Sequence, residues 1–351
     1  MTIIEVLVVL SVIALLLAFV LPAVQAVRES QRKQLCQTRL IEIGRALQTF
    51  EGIYRVYPAA MASEAAVALN PSGQTSRWIS PHTRLLPYLD QAPLFEKFKL
   101  NEDHSYSPPF DPSVGVPVGG ASSSVPGRDL RLPIFLCPSD SATYNDKTNN
   151  NFRANLGRGP GSAYKGVPGL PDPDMVVANG AFTLGHSLTS GDFKDGLSFT
   201  IAFSERLRGD GSPNDYSRKR DIFYSGVVTL YPNGGLTLGD LETVCNSVSD
   251  TTTEFYPYAG GSWFYAGYDQ TWYNHALVPN SPTPDCAEES LPRMTGPKTT
   301  YAILGSRSLH SQGVNCVYMH GNGKFISNNI DRSVWWAISS RAGSEQVDLS
   351  H

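Results

Sequence analysis

Glu5 is the residue of this chain most in need of a chemical explanation. It stands alone among apolar side chains in Ile3-Ile4-Glu5-Val6-Leu7-Val8-Val9-Leu10. A carboxylate inside an apolar span costs on the order of 2–3 kcal/mol, and such a residue is a functional candidate by default. In the first turn of a helix the dipole also favours an anion, which is a structural use for the same group. The five cysteines, Cys36, Cys137, Cys245, Cys286 and Cys316, form no CxxC and no Cys/His cluster with zinc-site spacing. In an exported protein they would give two disulfides and one buried thiol, and in the cytosol plain core residues. Asp210, Ser212 and Asn214 alternate like the start of a calcium loop, but no glutamate follows at the spacing an EF-hand needs. No metal is expected, and these three are the residues a calcium ion would use. Arg208-Gly209-Asp210 spells an adhesion tripeptide, of a kind that arises by chance in turn-rich loops. Asp172/Asp174 and Asp192/Asp195 read as turn residues and caps. There is no Gly-x-Ser-x-Gly elbow, HExxH or phosphate loop, so no enzyme and no cofactor are expected.

The elements that must carry these residues fall into two parts. From Val6 to Ala26 the chain is uncharged, a length that spans a hydrocarbon core. Pro22 lies within it and is tolerated in apolar spans. Polar residues then enter (Arg28, Glu29, Arg32, Lys33), while Cys36, Leu40, Ile43, Leu47, Phe50 and Tyr54 recur at spacings of four and three. That is one apolar stripe on a continuing helix. The prediction is a single helix over residues 1–55, membrane-spanning from about 3 to 26, with a one-sided second half that needs a partner surface. Two rival readings exist. Val24-Gln25-Ala26 has the form of a signal-peptidase site, although the helical pattern runs through it. An ordinary membrane anchor fits the hydropathy but explains neither Glu5 nor the unbroken helix. Residues 56–351 carry most of the 31 Gly and 25 Pro, which points to short strands and many turns. Net charge is −4 with no basic patch interleaved with aromatics, so nucleic-acid binding is excluded.

Met1-Thr2-Ile3-Ile4-Glu5 and the apolar run after it resemble the start of a processed type IV prepilin. The resemblance implies cleavage after a Gly by a dedicated peptidase and N-methylation of Met1 as the mature first residue. It implies Glu5 and Pro22 as the family's glutamate and proline, and pairing of Glu5 with a neighbouring subunit's terminal amine. Further segments resemble a bacterial family of pilin-like proteins named for a domain of unknown function. They are Tyr54-Arg55-Val56-Tyr57-Pro58, Leu85 to Gln91 with Leu94-Phe95, Phe135-Leu136-Cys137-Pro138-Ser139-Asp140, Asp195 to Thr200, and Ser204-Glu205-Arg206. Its C-terminal signature, a His, nine residues, then Asp-Gly, falls on His310 and His320-Gly321, with His320 where the family has Asp. His310 is read as a structural hydrogen-bonder and not as a catalyst.

These segments imply an α+β pilin-like fold: the helix packed on an antiparallel sheet head, with a β-rich, aromatic insertion at about 206–300. Gly313 to Ile326 reads as a hairpin turning at His320-Gly321-Asn322-Gly323. Asp331 caps a short helix through Val334 to Ile338, ended near Gly343. Cys36, on the stripe, is expected to bond Cys137 in its matched segment, closing a loop worth roughly 4–5 kcal/mol by chain entropy. Cys245 and Cys286 would form a local clip, leaving Cys316 as a buried thiol. Trp263, Tyr265, Tyr268 and Trp272 form a stacking platform for a glycan or neighbour, or else pack the insertion onto the sheet. Asp111 to Gly127 reads as a low-complexity surface loop.

The expected work is mechanical: polymerisation through the N-terminal helix into a type IV pilus-like filament or a type II secretion-like pseudopilus. The implied partners are other subunits, a prepilin peptidase, an assembly platform and the membrane. The implied location is the inner membrane as a single-pass precursor with its head outside the cytoplasm, then a periplasmic or extracellular filament. The rival function is a membrane-anchored surface binding protein that does not polymerise.

Overall fold

A computed structural model describes residues 2–61, 79–97, 130–141, 149–159, 179–183, 186–225, 237–287 and 302–343. The expected surface loop at 111–127 and the Asp172/Asp174 pair lie outside the described residues. The first element is a continuous helix of 52 residues, α1 (Ile3–Tyr54). It starts on a capping box: the Thr2 side chain accepts from the Glu5 N–H at 3.4 Å, and the Thr2 N–H donates to Glu5 Oε2 at 2.8 Å. It stops at Arg55, a left-handed residue whose N–H closes on the Glu51 carbonyl at 2.7 Å. Residues 2–28 are exposed on every side, whereas Cys36, Leu40, Ile43, Gly44, Ala46, Leu47 and Phe50 are buried. The buried set is the stripe that the spacing marks, with Gly44 and Ala46 added and Tyr54 left exposed.

The stripe lies on a five-stranded sheet built from β1 (Phe152–Asn155), β2 (Ile201–Glu205), β5 (Trp272–Tyr273), β8 (Gly313–Tyr318) and β9 (Gly323–Ser327), in the order β5-β1-β2-β8-β9. A four-stranded sheet holds β3 (Ile222–Tyr224), β4 (Phe255–Tyr256), β6 (Asp285–Ala287) and β7 (Ala302–Ile303), in the order β4-β3-β6-β7. Short helices α2 (Pro81–Leu85), α3 (Ala92–Lys97), α4 (Leu238–Asn246) and α5 (Arg332–Ala337) join them among the described residues, and the fold is α+β.

The sheets are mixed and not purely antiparallel. β1 pairs β5 in parallel and β3 pairs β6 in parallel, while the remaining pairs are antiparallel. The expectation fails where chain from the aromatic segment enters. A strand returning after a long excursion is free to align either way, whereas a tight hairpin allows only the antiparallel pairing.

β8 and β9 form the expected hairpin, with Gly313 opposite Ser327 and Val317 opposite Gly323. Val314, Cys316 and Tyr318 face one apolar cluster with Trp335 of α5, while Val317 and Met319 face the cluster under α1. Because both faces are covered, the strand is buried along its whole length. Gly321 has φ of 95°, the conformation the turn needs and L side chains avoid. The helix approaches this turn so closely that a Cβ at Gly44 would lie 2.6 Å from Val317 Cγ2 and 3.0 Å from Gly321 Cα. Asp331 caps α5, accepting from the Ser333 N–H at 2.7 Å.

Buried ion pairs tie the two sheets together. Asp285 on β6 meets Arg206 at 2.7 Å and Arg307 at 2.9 Å, and Asp140 meets Arg220 at 2.7 Å and Arg208 at 3.5 Å. Burial alone would raise both carboxyls, but the paired guanidiniums outweigh it and hold each below its ordinary value.

Candidate functional site

Two features of the fold can do work: the bare rod of α1 and the neck where it meets the head. Among the described residues, α1 is the one helix long and apolar enough to cross a membrane. Glu5 lies at its start with its carboxylate turned back onto the Thr2 N–H. Pro22 sits inside the helix without ending it.

The neck is assembled from three distant segments. Glu29 of α1, Glu205 at the end of β2 and His310 ahead of β8 converge. His310 Nδ1 lies 2.9 Å from Glu29 Oε1, and Nε2 lies 3.2 Å from Glu205 Oε1. Ser139 Oγ donates to Glu29 Oε1 at 2.8 Å. Asn315 holds Glu205 through its N–H at 2.8 Å and its Nδ2 at 3.0 Å. Each imidazole nitrogen of His310 faces a carboxylate oxygen, an arrangement that favours the doubly protonated ring. Burial alone would lower its pKa, but the hydrogen bond and charge of Glu205, then those of Glu29, raise it above the usual histidine value. Burial likewise pushes Glu29 up, and its bonds to His310 and Ser139 bring it below the usual range. His310 is thus a fastening between helix and head.

The disulfide Cys36–Cys137 joins α1 to the head beside this cluster, with Cα atoms 5.0 Å apart. Cys137 Sγ lies 3.5 Å from His310 Nε2. A second disulfide, Cys245–Cys286, links α4 to β6, and Cys316 is free and buried. Cys36, Cys137, Glu205 and His310 each offer a ligand atom within 4.8 Å of the others. With the two sulfurs bonded to each other, neither is a thiolate, and in this form the group is not a metal site.

Where the sequence leaves alternatives open for the remaining candidates, burial separates them. Trp263, Tyr265, Tyr268 and Trp272 are all buried, at 0%, 4%, 0% and 3% exposure, so they present no platform. Trp272 is part of β5 in the main sheet, Trp263 Nε1 donates to the Leu130 carbonyl at 2.9 Å, and Tyr268 packs edge-on to Trp272. Their area is used to seal the insertion onto the helix-facing core. Arg208-Gly209-Asp210 is not displayed either: Arg208 is buried against Asp140, and Gly209 packs on the Pro257 carbonyl. Asp210 accepts from the Ser212 N–H at 2.8 Å, the Ser212 hydroxyl turns to Asp215 at 3.2 Å, and Asn214 is exposed, so the three close a turn. His320 lies in the hairpin turn beside Gly321, on a groove of 940 Å³ shared with Phe199, Tyr318 and Val334.

Glu29 and Glu205 carry little signal as functional residues in the sequence. Glu205 falls in the Ser204-Glu205-Arg206 segment, which is the one signal that pointed at it. Glu29 has no local mark, because its partner is 281 positions away.

A two-sheet α+β head stapled to a rod long enough for a membrane is the class of protein that this geometry defines. The chain belongs to the family described as protein of unknown function DUF1559, whose profile matches residues 25–333. No curated protein and no solved structure matches it. The matched region takes in the stripe of α1, the neck and nearly all of the head, and most of the apolar rod precedes it.

Proposed function

We propose that this chain is a pilin-like subunit whose work is mechanical. One observation carries the reading: a single unbroken helix is bare over residues 2–28 and buries one face in its own head between Cys36 and Phe50. A rod rigidly continuous with its head transmits the head's position to whatever surrounds the rod. Lipid can surround it first, and like helices can replace lipid later, since both present the same apolar contact. Subunits then polymerise into a type IV pilus-like filament or a secretion pseudopilus, after processing by a prepilin peptidase at the inner membrane. Glu5 provides register, because a carboxylate in an apolar bundle is tolerated beside a cation, most simply a neighbour's terminal amine. Its capping-box bond to the Thr2 N–H keeps that carboxylate at the helix terminus until a neighbour arrives.

The test is Glu5→Gln in cells. The head should fold and reach the membrane while filaments vanish; filaments of normal length from this variant defeat the register role. Intact mass of the native N-terminus supplies a second reading, since methylated Met1 supports processing and a chain beginning after Ala26 does not. The rival, a non-polymerising surface binding protein, loses the aromatic surface it relied on, because those four rings are buried.

A further inference from the structure

We propose that Cys36, Cys137, Glu205 and His310 form a buried four-coordinate site for a zinc-class divalent cation when the Cys36–Cys137 bond is reduced. The neck is then closed either by a disulfide or by a metal, never by both.

The donor set is two sulfurs, one imidazole and one carboxylate, all buried and within 4.8 Å of one another. Tetrahedral zinc places its donors about 3–4 Å apart, given metal–sulfur and metal–nitrogen bonds of about 2.3 and 2.0 Å. Separating the two sulfurs and drawing in the other donors therefore needs shifts of side-chain size only. The surrounding shell is already that of a metal site. A ligating histidine normally donates its far ring N–H to a carboxylate, and here Glu29 Oε1 is the acceptor 2.9 Å from Nδ1, leaving Nε2 aimed at Cys137 and Glu205. Glu205 is held by two bonds from Asn315, which fix the direction of its free lone pairs. The side chain of His310 is fully enclosed.

A dithiol reductant delivers two electrons to the Cys36–Cys137 bond and two protons to the separated sulfurs, and becomes its own cyclic disulfide. Cation binding then releases the two thiol protons and the Nε2 proton of His310. The metal takes the place that this proton holds in the oxidised chain.

The experiment uses the full chain in detergent, reduced with dithiothreitol and freed of it anaerobically, then titrated with Co²⁺ as a spectroscopic stand-in. One equivalent should give thiolate-to-cobalt charge-transfer and tetrahedral ligand-field bands, which zinc erases, and the oxidised chain should give none. Glu29→Gln, whose oxidised fold can be verified beforehand, should weaken binding by roughly 10- to 100-fold through loss of the imidazole's partner. The proposal is overturned if the reduced chain shows no such bands, if Glu29→Gln binds as tightly as the parent, or if the bands persist in the Cys36→Ser/Cys137→Ser chain. That last result would place the ion on Cys245, Cys286 or Cys316.

Discussion

Asp221 shows how one buried group couples this fold to pH. It is fully buried, and its Oδ2 accepts from the Ser217 N–H at 2.8 Å. Burial pushes its carboxyl up to about 7; the Ser217 N–H opposes this, and the Asp210 charge adds to it. The folded pKa thus exceeds the unfolded value of 3.8. The contribution to stability is complete below the unfolded pKa and is lost as pH rises through about 7. Wild type should therefore lose about 2–3 kcal/mol relative to Asp221→Asn between pH 5 and 8. Denaturant melts of both chains across that range check it, and parallel curves would show that Asp221 does not titrate there. His82 and His275 act oppositely. Burial pushes both down to about 3, so their contribution is present above the unfolded histidine pKa and is lost as pH falls.

For the elements, the governing contact is α1 against the β8–β9 turn. Two glycines of the helix separate packing from propensity. At Gly52 nothing lies within 4 Å of an added Cβ, so Gly52→Ala should stabilise by up to about 1 kcal/mol through helix propensity. At Gly44 the same gain is opposed by a Cβ at 2.6 Å from Val317 Cγ2 and 3.0 Å from backbone, an overpacking worth roughly 1–3 kcal/mol. The clash wins, so Gly44→Ala should lower the melting temperature while Gly52→Ala raises it. Calorimetry on the two variants reads the sign directly. The staple acts on the same junction: Cys36–Cys137 spans 101 positions, and Cys36→Ser should cost up to roughly 4–5 kcal/mol. Loss of less than about 1 kcal/mol would mean that the ion pairs and the helix stripe already confine the unfolded chain.

On the scale of the molecule, the rod and the head answer to different surroundings. Every residue from 2 to 28 is exposed, so deleting this stretch removes no buried contact of the head. A chain beginning at Glu29 should fold with an unchanged melting temperature, stay monomeric in sedimentation and leave the membrane fraction. A large drop in its melting temperature would show that the apolar half supports the head after all.

The sequence by itself determined the elements whose cause is local. The rod follows from an uncharged run of spanning length, the buried face of its second half from a stripe at spacings of four and three, the hairpin from alternation ending in His320-Gly321-Asn322-Gly323, and the α5 cap from Asp331. Each is a matter of period or turn chemistry within a few residues. Tertiary structure alone decided that the aromatic segment is core and not surface, since an aromatic-rich stretch reads identically in either place until the sheet that covers it exists. It also decided the parallel pairings β1/β5 and β3/β6, and the neck, where Glu29, Glu205 and His310 meet across separations of 281 and 105 positions. Such convergence is set by how the layers stack, and no local periodicity encodes it.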